Sequence, residues 1–400
     1  MSPVYPLALL LLVMPAASVL QVRAIAPLAI AALVAVVAMG WRAERRVPWP
    51  RGPVLWAALA LAGWGALSVI WAVDPRRALT DSLLLGGFFV LGAAASGVVA
   101  RAEAPARRGL LRWLAFGLAG GVVLAALDHA TGNAVRAAVR GLRDWDVTLS
   151  FGLKPAITVF AVLLPLALAA PIAGWARGLL AVVAVAVALW LPAETAKIAI
   201  LAGLGAFGLA WVMPRITRAA LAGALALAIL AMPVILGAVL ASGPAGRLPF
   251  SAAHRVVIWD FALARIAERP LAGWGFEASR AIPGGKANAT PATLDRLGIT
   301  DAGQRARFTL PNAESLPLHP HNAPLQLHLE LGAIGALIAA LLVALLALRA
   351  RTPSAAGALT AAAVVGSLSY GLWQGWWIAL LLVLIASTRA LPAEGGKDIA

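Results

Sequence analysis

LPLHPHNAPLQLHLELGAIGALIAALLVALLALRAR, residues 316–351, leads from a proline-broken polar approach into an apolar run at 323–348 and out to Arg349 and Arg351. A helix crosses about 30 Å of hydrocarbon with roughly 20 apolar residues, so this run is long enough to span a bilayer. Similar runs recur between charged or Pro/Gly breaks, at approximately 4–20, 24–40, 53–72, 79–100, 109–127, 153–170, 176–192, 198–213, 219–241, 355–370 and 373–389. With 323–348 they make twelve, and the expected fold is all-α and polytopic, with a long loop between the ninth and tenth crossings.

Composition agrees. The 400 residues are 62% hydrophobic and 12% charged, with a mean hydropathy of +0.89, whereas soluble chains carry about a quarter charged residues. The net charge of +15 is spread between apolar runs rather than gathered in a basic tract, which argues for membrane orientation and against nucleic-acid binding. Cysteine is absent, so disulfides, thiolate metal sites and thiol nucleophiles are excluded. The first run, despite small residues at Ala16, Ala17 and Ser18, has no Lys or Arg before it and reads as a retained helix rather than a signal peptide.

Arginines concentrate in alternate short loops: Arg42, Arg45, Arg46 and Arg51; Arg101, Arg107, Arg108 and Arg112; Arg215 and Arg218; Arg349 and Arg351. With twelve crossings these fall on one side, which the positive-inside rule makes cytoplasmic, together with both termini. The long stretches near 128–152 and 242–322 then face outward. The chain divides into crossings one to nine (1–241), an external loop (242–322), and crossings ten to twelve with a cytoplasmic tail (323–400). Most of the 15 Trp sit at run ends, as an interfacial aromatic belt does.

An external loop of this length is too long for a mere connection. Residues 254–268, HRVVIWDFALARIAE, have helical spacing that places Arg255 on one face with Trp259, Ala262 and Ile266. Arg255 could snorkel at the interface or clamp an anion. The turn-rich RPLAGWGFEASR follows, and then an irregular polar stretch, 283–315, to which no chemistry is assigned. Asn322 and Pro324 suit the start of the tenth crossing as N-cap and first-turn residues. The positive helix end beside His319 and His321 favours an anion and a neutral imidazole able to act as a base. The spacing of His319, His321 and His328 lacks an i, i+4 pair and an HExxH, so no metal and no cofactor is expected. Gln326 and Glu330 lie one turn apart just inside the crossing, where a carboxylate serves either substrate or helix contact. Gly332 and Gly335 read as close-packing positions. Lys197 in PAETAK, and Lys154 after GLRDWDVTLSFGLK, sit at the external ends of the eighth and sixth crossings, as snorkelling anchors or further cations. Converging with Arg255, they would make an outer-leaflet pocket for a lipid-linked diphosphate, the cations stabilising the leaving group and the histidine taking a proton from an acceptor hydroxyl.

In HRVVIWDFALARIAERPLAGWG and HPHNAPLQLHLELGAIG the chain resembles the O-antigen ligase family, whose relatives include O-antigen polymerases. The family's His-Asn, nine residues and Gly are met by His321, Asn322 and Gly332, while Gly335 and Ala336 stand where the pattern has two threonines. The resemblance implies His321 as catalytic histidine and Arg255 as a diphosphate-binding arginine. Lys197 stands where a second functional arginine is expected, keeping the charge without the bidentate fork. It further implies transfer of a glycan from undecaprenyl diphosphate to a lipid A core sugar, without metal or nucleotide, in the bacterial inner membrane with the site on the periplasmic side.

The sequence thus points to an inverting glycosyltransferase in which His321 acts as base and Arg255 and Lys197 hold the diphosphate. His319, Lys154, Asn322, Glu330 and Trp259 would contact or orient substrate, with membrane lipids as surroundings and no nucleic-acid partner. The alternatives are an O-antigen polymerase using the same donor, or a transporter of an anionic solute or lipid. A transporter calls for charges deep in several crossings, whereas only Glu330 lies moderately deep here.

Overall fold

The computed structural model describes residues 2–46, 48–142, 149 and 152–392. Part of the GLRDWDVTLSFGLK segment and tail residues 393–400 lie outside the described residues. The helices are α1 Tyr5–Leu20, α2 Ile25–Glu44, α3 Pro53–Leu67, α4 Pro75–Arg101, α5 Ala104–Ala130, α6 Ala134–Val139, α7 Leu153–Ala167, α8 Gly174–Trp190, α9 Glu194–Val212, α10 Pro214–Leu240, α11 Phe250–Glu268, α12 Pro291–Arg296, α13 Ala302–Arg307, α14 Ala323–Arg349, α15 Pro353–Leu368 and α16 Gly375–Thr388. Among the described residues there is no strand, only an isolated bridge between Asn288 and Glu314.

Each apolar run falls on a helix. Seven are long and apolar enough to cross a membrane, and five shorter apolar helices accompany them, the build of a multi-pass membrane protein. Several helices start earlier than hydropathy suggested, because proline at the first turn is pre-set for helix and loses no bond there. Asp74 caps α4 by accepting from Arg77 N (3.0 Å), and α10 begins at Pro214.

Small residues set the packing. α1 lies along α5, and α9 along α15, where a Cβ added at Gly357 would stand 2.7 Å from the Gly203 carbonyl oxygen. Backbones approach this closely only where side chains are absent. Through that contact α15 is fixed, and with it the carbonyls at its C-terminal end.

α14 is broken. Gly332, with φ 66° and ψ −170°, interrupts it, and the turn 269–275 fills the gap. Trp274 N donates to Leu329 O (3.0 Å), Gly275 N to Glu330 O (2.8 Å), and Ala333 N to Pro270 O (2.9 Å), while the Trp64 indole donates to Leu331 O (2.9 Å). The break would otherwise leave backbone groups unpaired in an apolar setting. A stretch that reads as a plain turn in sequence is therefore the splint of a split helix.

The 242–322 segment is ordered around α11. Val257, Leu294, Leu297, Ile299 and Phe308 form one buried cluster, and Arg296 grips Asp260 with two bonds of 2.6 and 2.8 Å. The stretch 283–315 thus carries α12 and α13 and packs on α11 rather than running as an irregular loop.

Asp128, in the last turn of α5, and Arg136 in α6 form an ion pair of 2.5 Å with no exposure on either side chain. Arg136 also donates to Asn133 Oδ1 (2.5 Å) and to the Leu149 carbonyl, tying α6 to the approach of α7. Removing one partner leaves an uncompensated buried charge, so Asp128→Asn is expected to cost about 3 kcal/mol. An unchanged thermal midpoint in detergent would contradict that assignment.

Candidate active site

Four elements meet at the C-terminal end of α15: α11, the 316–322 approach to α14, the N-terminus of α9, and the 369–374 turn. His321 adopts a left-handed backbone (φ 55°), unusual for a residue with a side chain and characteristic of functional positions. Its Nδ1 lies 2.5 Å from the Ser369 carbonyl oxygen. A carbonyl only accepts, so Nδ1 carries the proton and Nε2 keeps its lone pair. Burial lowers the pKa of His321, and the charges of Arg255, His254 and Lys154 lower it further, against the opposing effect of its hydrogen bond to the Ser369 carbonyl. The imidazole is neutral at pH 7.

His319 has a different part. Its Nδ1 faces His321 N (3.2 Å) and its Nε2 the Gln374 side-chain amide (3.0 Å). Burial, with the charges of His321, Arg280 and Arg255, pushes its pKa down to about 3. Both ring nitrogens are engaged, so His319 holds the backbone of His321 in place. Trp259 does similar work from α11, donating to Pro320 O (2.9 Å). Asn322 caps α14 by accepting from Leu325 N (2.8 Å).

Arg255 donates to Leu368 O (3.0 Å), one residue from the carbonyl that holds His321. One N–H is spent there, and the guanidinium retains others for an anion. Thr195 at the start of α9 reaches the same carbonyl at 3.4 Å, which brings the PAETAK turn to the site. Lys197 itself pairs with Glu194 at 2.8 Å. The lysine whose charge acts on both His321 and Arg255 is Lys154. The Tyr370 hydroxyl, 3.4 Å from Thr158 Oγ1, also lies within electrostatic reach of Arg255.

Glu330 is apart from these cations. It is fully buried and accepts from Ser279 Oγ (2.5 Å), Glu277 N (2.9 Å), Gln326 Nε2 (2.9 Å) and Trp373 Nε1 (2.6 Å). With two donors on each oxygen it is satisfied, and it joins α14 to the 277–279 and 373 turns. Arg280, ion-paired with Glu277 at 2.7 Å, acts on His319 from that side. Sequence reading did not single out Ser369, Tyr370, Gln374 or Arg280. SYGLWQGWW, residues 369–377, reads as an aromatic belt, and a backbone carbonyl leaves no signature. Two cavities, of about 440 and 390 Å³, lie elsewhere, one beside Phe250 and Arg307 and the other beside Arg349 and Arg389. His321 lines neither; the site is defined by its charges and hydrogen bonds.

Known proteins resemble part of the chain. Proteins named "Putative polysaccharide ligase" match it in Rickettsia prowazekii (33% identity over 135 residues, 32% of this chain and 29% of the relative), Rickettsia conorii (35% over 136 residues, 32% and 29%) and Rickettsia felis (30% over 136 residues, 32% and 30%). The match spans less than a third of each relative's length. Residues 179–340, which hold Lys197, Arg255, Trp259, His319, His321, Asn322 and Glu330, match the family model described as O-antigen ligase, the family that the sequence resembles.

Proposed function

We propose that the chain is a metal-independent, inverting glycosyltransferase of the O-antigen ligase type, moving a glycan from undecaprenyl diphosphate to a lipid A core sugar. The observation that carries this reading is a neutral His321 whose Nε2 has no hydrogen-bond partner among the described residues, set beside Arg255 and Lys154. His321 Nε2 takes the proton of the acceptor hydroxyl as its oxygen bonds the anomeric carbon from the face opposite the diphosphate. The bond from that carbon to the diphosphate oxygen breaks, and Arg255 and Lys154 stabilise the charge on the departing undecaprenyl diphosphate. His319, Trp259 and Asn322 position the histidine, Glu330 anchors the split helix, and Lys197 has a lesser part.

The proposed topology has twelve crossings, with 1–241, 242–322 and 323–400 as its three parts, in the bacterial inner membrane. Support comes from the coincidence of twelve apolar runs with helices and from the alternating arginine-rich loops. Both termini are cytoplasmic and 242–322 is periplasmic. The native chain has no cysteine, so single cysteines report directly: one replacing Ala289 is expected to react with an impermeant reagent added outside, and one replacing Ala43 to be protected. The reverse pattern overturns the orientation.

For the activity, purified protein is incubated with a synthetic undecaprenyl-diphosphate glycan and either a lipid A core acceptor or a second donor molecule. Glycan joined to the core acceptor, with equal release of undecaprenyl diphosphate, is expected. Joining only to the second donor identifies a polymerase, and no joining with either refutes the enzyme.

A guanidinium grips phosphate oxygens with parallel bonds that a lysine cannot reproduce. In single-turnover transfer at saturating donor, Arg255→Ala is expected to lose about 100-fold and Arg255→Lys about 10-fold, with Lys154→Ala costing more than Lys197→Ala. Wild-type rates and donor affinity in Arg255→Ala would remove the clamp.

A further inference from the structure

At the end of the bundle opposite His321, the last turn of α14, the start of α15 and the end of α16 enclose a cavity of about 390 Å³ lined by Arg349, Arg351, Thr352, Ala355, Arg389 and Leu391, among others. Among the described residues its lining contains three arginines and no carboxylate, and none of the three forms an ion pair there. Two familiar effects account for single arginines there. Basic side chains favour the last turn of a helix, as Arg349 on α14 and Arg389 at the end of α16 do, and basic residues gather on one face of a membrane. Neither effect gathers three like charges around one space, where they repel. The positive N-terminus of α15, capped by Thr352 accepting from Ala355 N at 3.2 Å, adds to that field.

We propose that this cavity binds the phosphate headgroup of an anionic phospholipid of the bilayer. The chemistry is that of a phosphate diester: guanidiniums give charge-assisted, often paired hydrogen bonds to its oxygens, and the Thr352 and Thr388 hydroxyls add further polar groups. The position selects a lipid over a free anion. Arg349 ends a membrane crossing, and Ala355 and Leu391 give the cavity an apolar side against which the glycerol and first acyl carbons rest. Basic pockets between crossings are recurrent headgroup sites of this kind. The occupied site would fix the inner end of α15, whose outer end carries the carbonyls that hold Arg255 and His321. It does not depend on what those residues do.

The test is native mass spectrometry of the full-length protein, released from micelles containing phosphatidylglycerol or phosphatidylcholine. Wild type is expected to retain phosphatidylglycerol at least about ten-fold over phosphatidylcholine, and Arg349→Gln/Arg351→Gln/Arg389→Gln to lose about 100-fold in that binding, at about 5-fold for each charge neutralised. Should the triple variant not fold, Arg351→Gln alone is expected to lose several-fold, with Arg351→Lys close to wild type. Equal retention of phosphatidylglycerol by wild type and the glutamine variants overturns the site. So does inorganic phosphate binding as well as the lipid. A chain ending at Pro392 removes Glu394 and Asp398. If wild type shows no lipid preference and that shortened chain gains one, the arginines serve the protein's own carboxylates and the proposal is wrong.

Discussion

Replacing His321 by alanine is expected to lower glycan transfer by about 10²–10⁴-fold, the usual worth of a positioned general base, while the protein still folds and inserts. The imidazole is fixed from two sides: Nδ1 is tied to Ser369 O, and the backbone N–H faces His319. Only Nε2 is left to receive a proton, so alanine removes the reacting group and one hydrogen bond, with little packing. His319→Ala should cost less, because it loosens the backbone of His321 and leaves the base in place. The pH profile separates base from scaffold. With its pKa lowered by burial and neighbouring cations, His321 should give an acid limb in kcat/KM with a midpoint below 6.5, the ordinary value for histidine. A midpoint above 7, or wild-type turnover in His321→Ala at matched expression, removes it from the base role. Stability follows the same titration. Both histidines bind protons more weakly folded than unfolded, so between the folded and unfolded pKa values the unfolded chain holds more protons. Stability is therefore lost as pH falls through about 6.5 toward the folded values, of which that of His319 is about 3.

Gly332→Val is expected to destabilise the protein by about 4–6 kcal/mol, adding the cost of a left-handed β-branched residue to that of overpacking. A Cβ at Gly332 would stand 2.2 Å from the Leu271 carbonyl oxygen, and one at Gly273 2.5 Å from the backbone of Glu330. Both contacts are with backbone, which cannot swing aside as a side chain does. The splint would have to leave the break in α14, exposing Leu329 O and Glu330 O, which the turn otherwise satisfies. Against a usual total stability of about 5–15 kcal/mol, most of the protein should fail to elute as a folded species in detergent. Gly335→Ala is expected to be destabilising as well, because the added Cβ would stand 2.2 Å from Leu331 Cβ, which the backbone holds in place. A wild-type thermal midpoint in Gly332→Val would show that the split helix has another packing available.

Hydropathy located every long apolar helix because the apolar signal is carried by each residue of a run. It missed the break in α14 because one glycine in LELGAIGALIAA looks the same whether it packs against a side chain or turns left-handed, and its partner lies some 60 positions earlier in RPLAGWG. The buried Asp128–Arg136 pair was hidden for a similar reason: charges in a loop read as solvated until packing closes over them. Within the candidate site, Arg255 and His321 stand out in the sequence through helical spacing, capping residues and the family pattern. What distinguishes the surroundings of Lys154 from those of Lys197 does not. Both sit at crossing ends, and only the fold shows Lys197 paired with Glu194 and Lys154 acting on His321. Glu330 showed the opposite ambiguity, since an intramembrane carboxylate signals function until four donors are found filling it.

In the proposed reaction Arg255 and Lys154 hold a lipid-linked diphosphate within reach of the His321 base. The most direct measurement is an experimental structure of the full-length protein in a lipid nanodisc with undecaprenyl diphosphate bound. The expected result places diphosphate oxygens within hydrogen-bond distance of Arg255 and beside Lys154, with His321 Nε2 facing the space next to the terminal phosphate. Diphosphate bound at the opposite membrane face, or with Arg255 directed away and His321 Nε2 occupied by a protein donor, would contradict it.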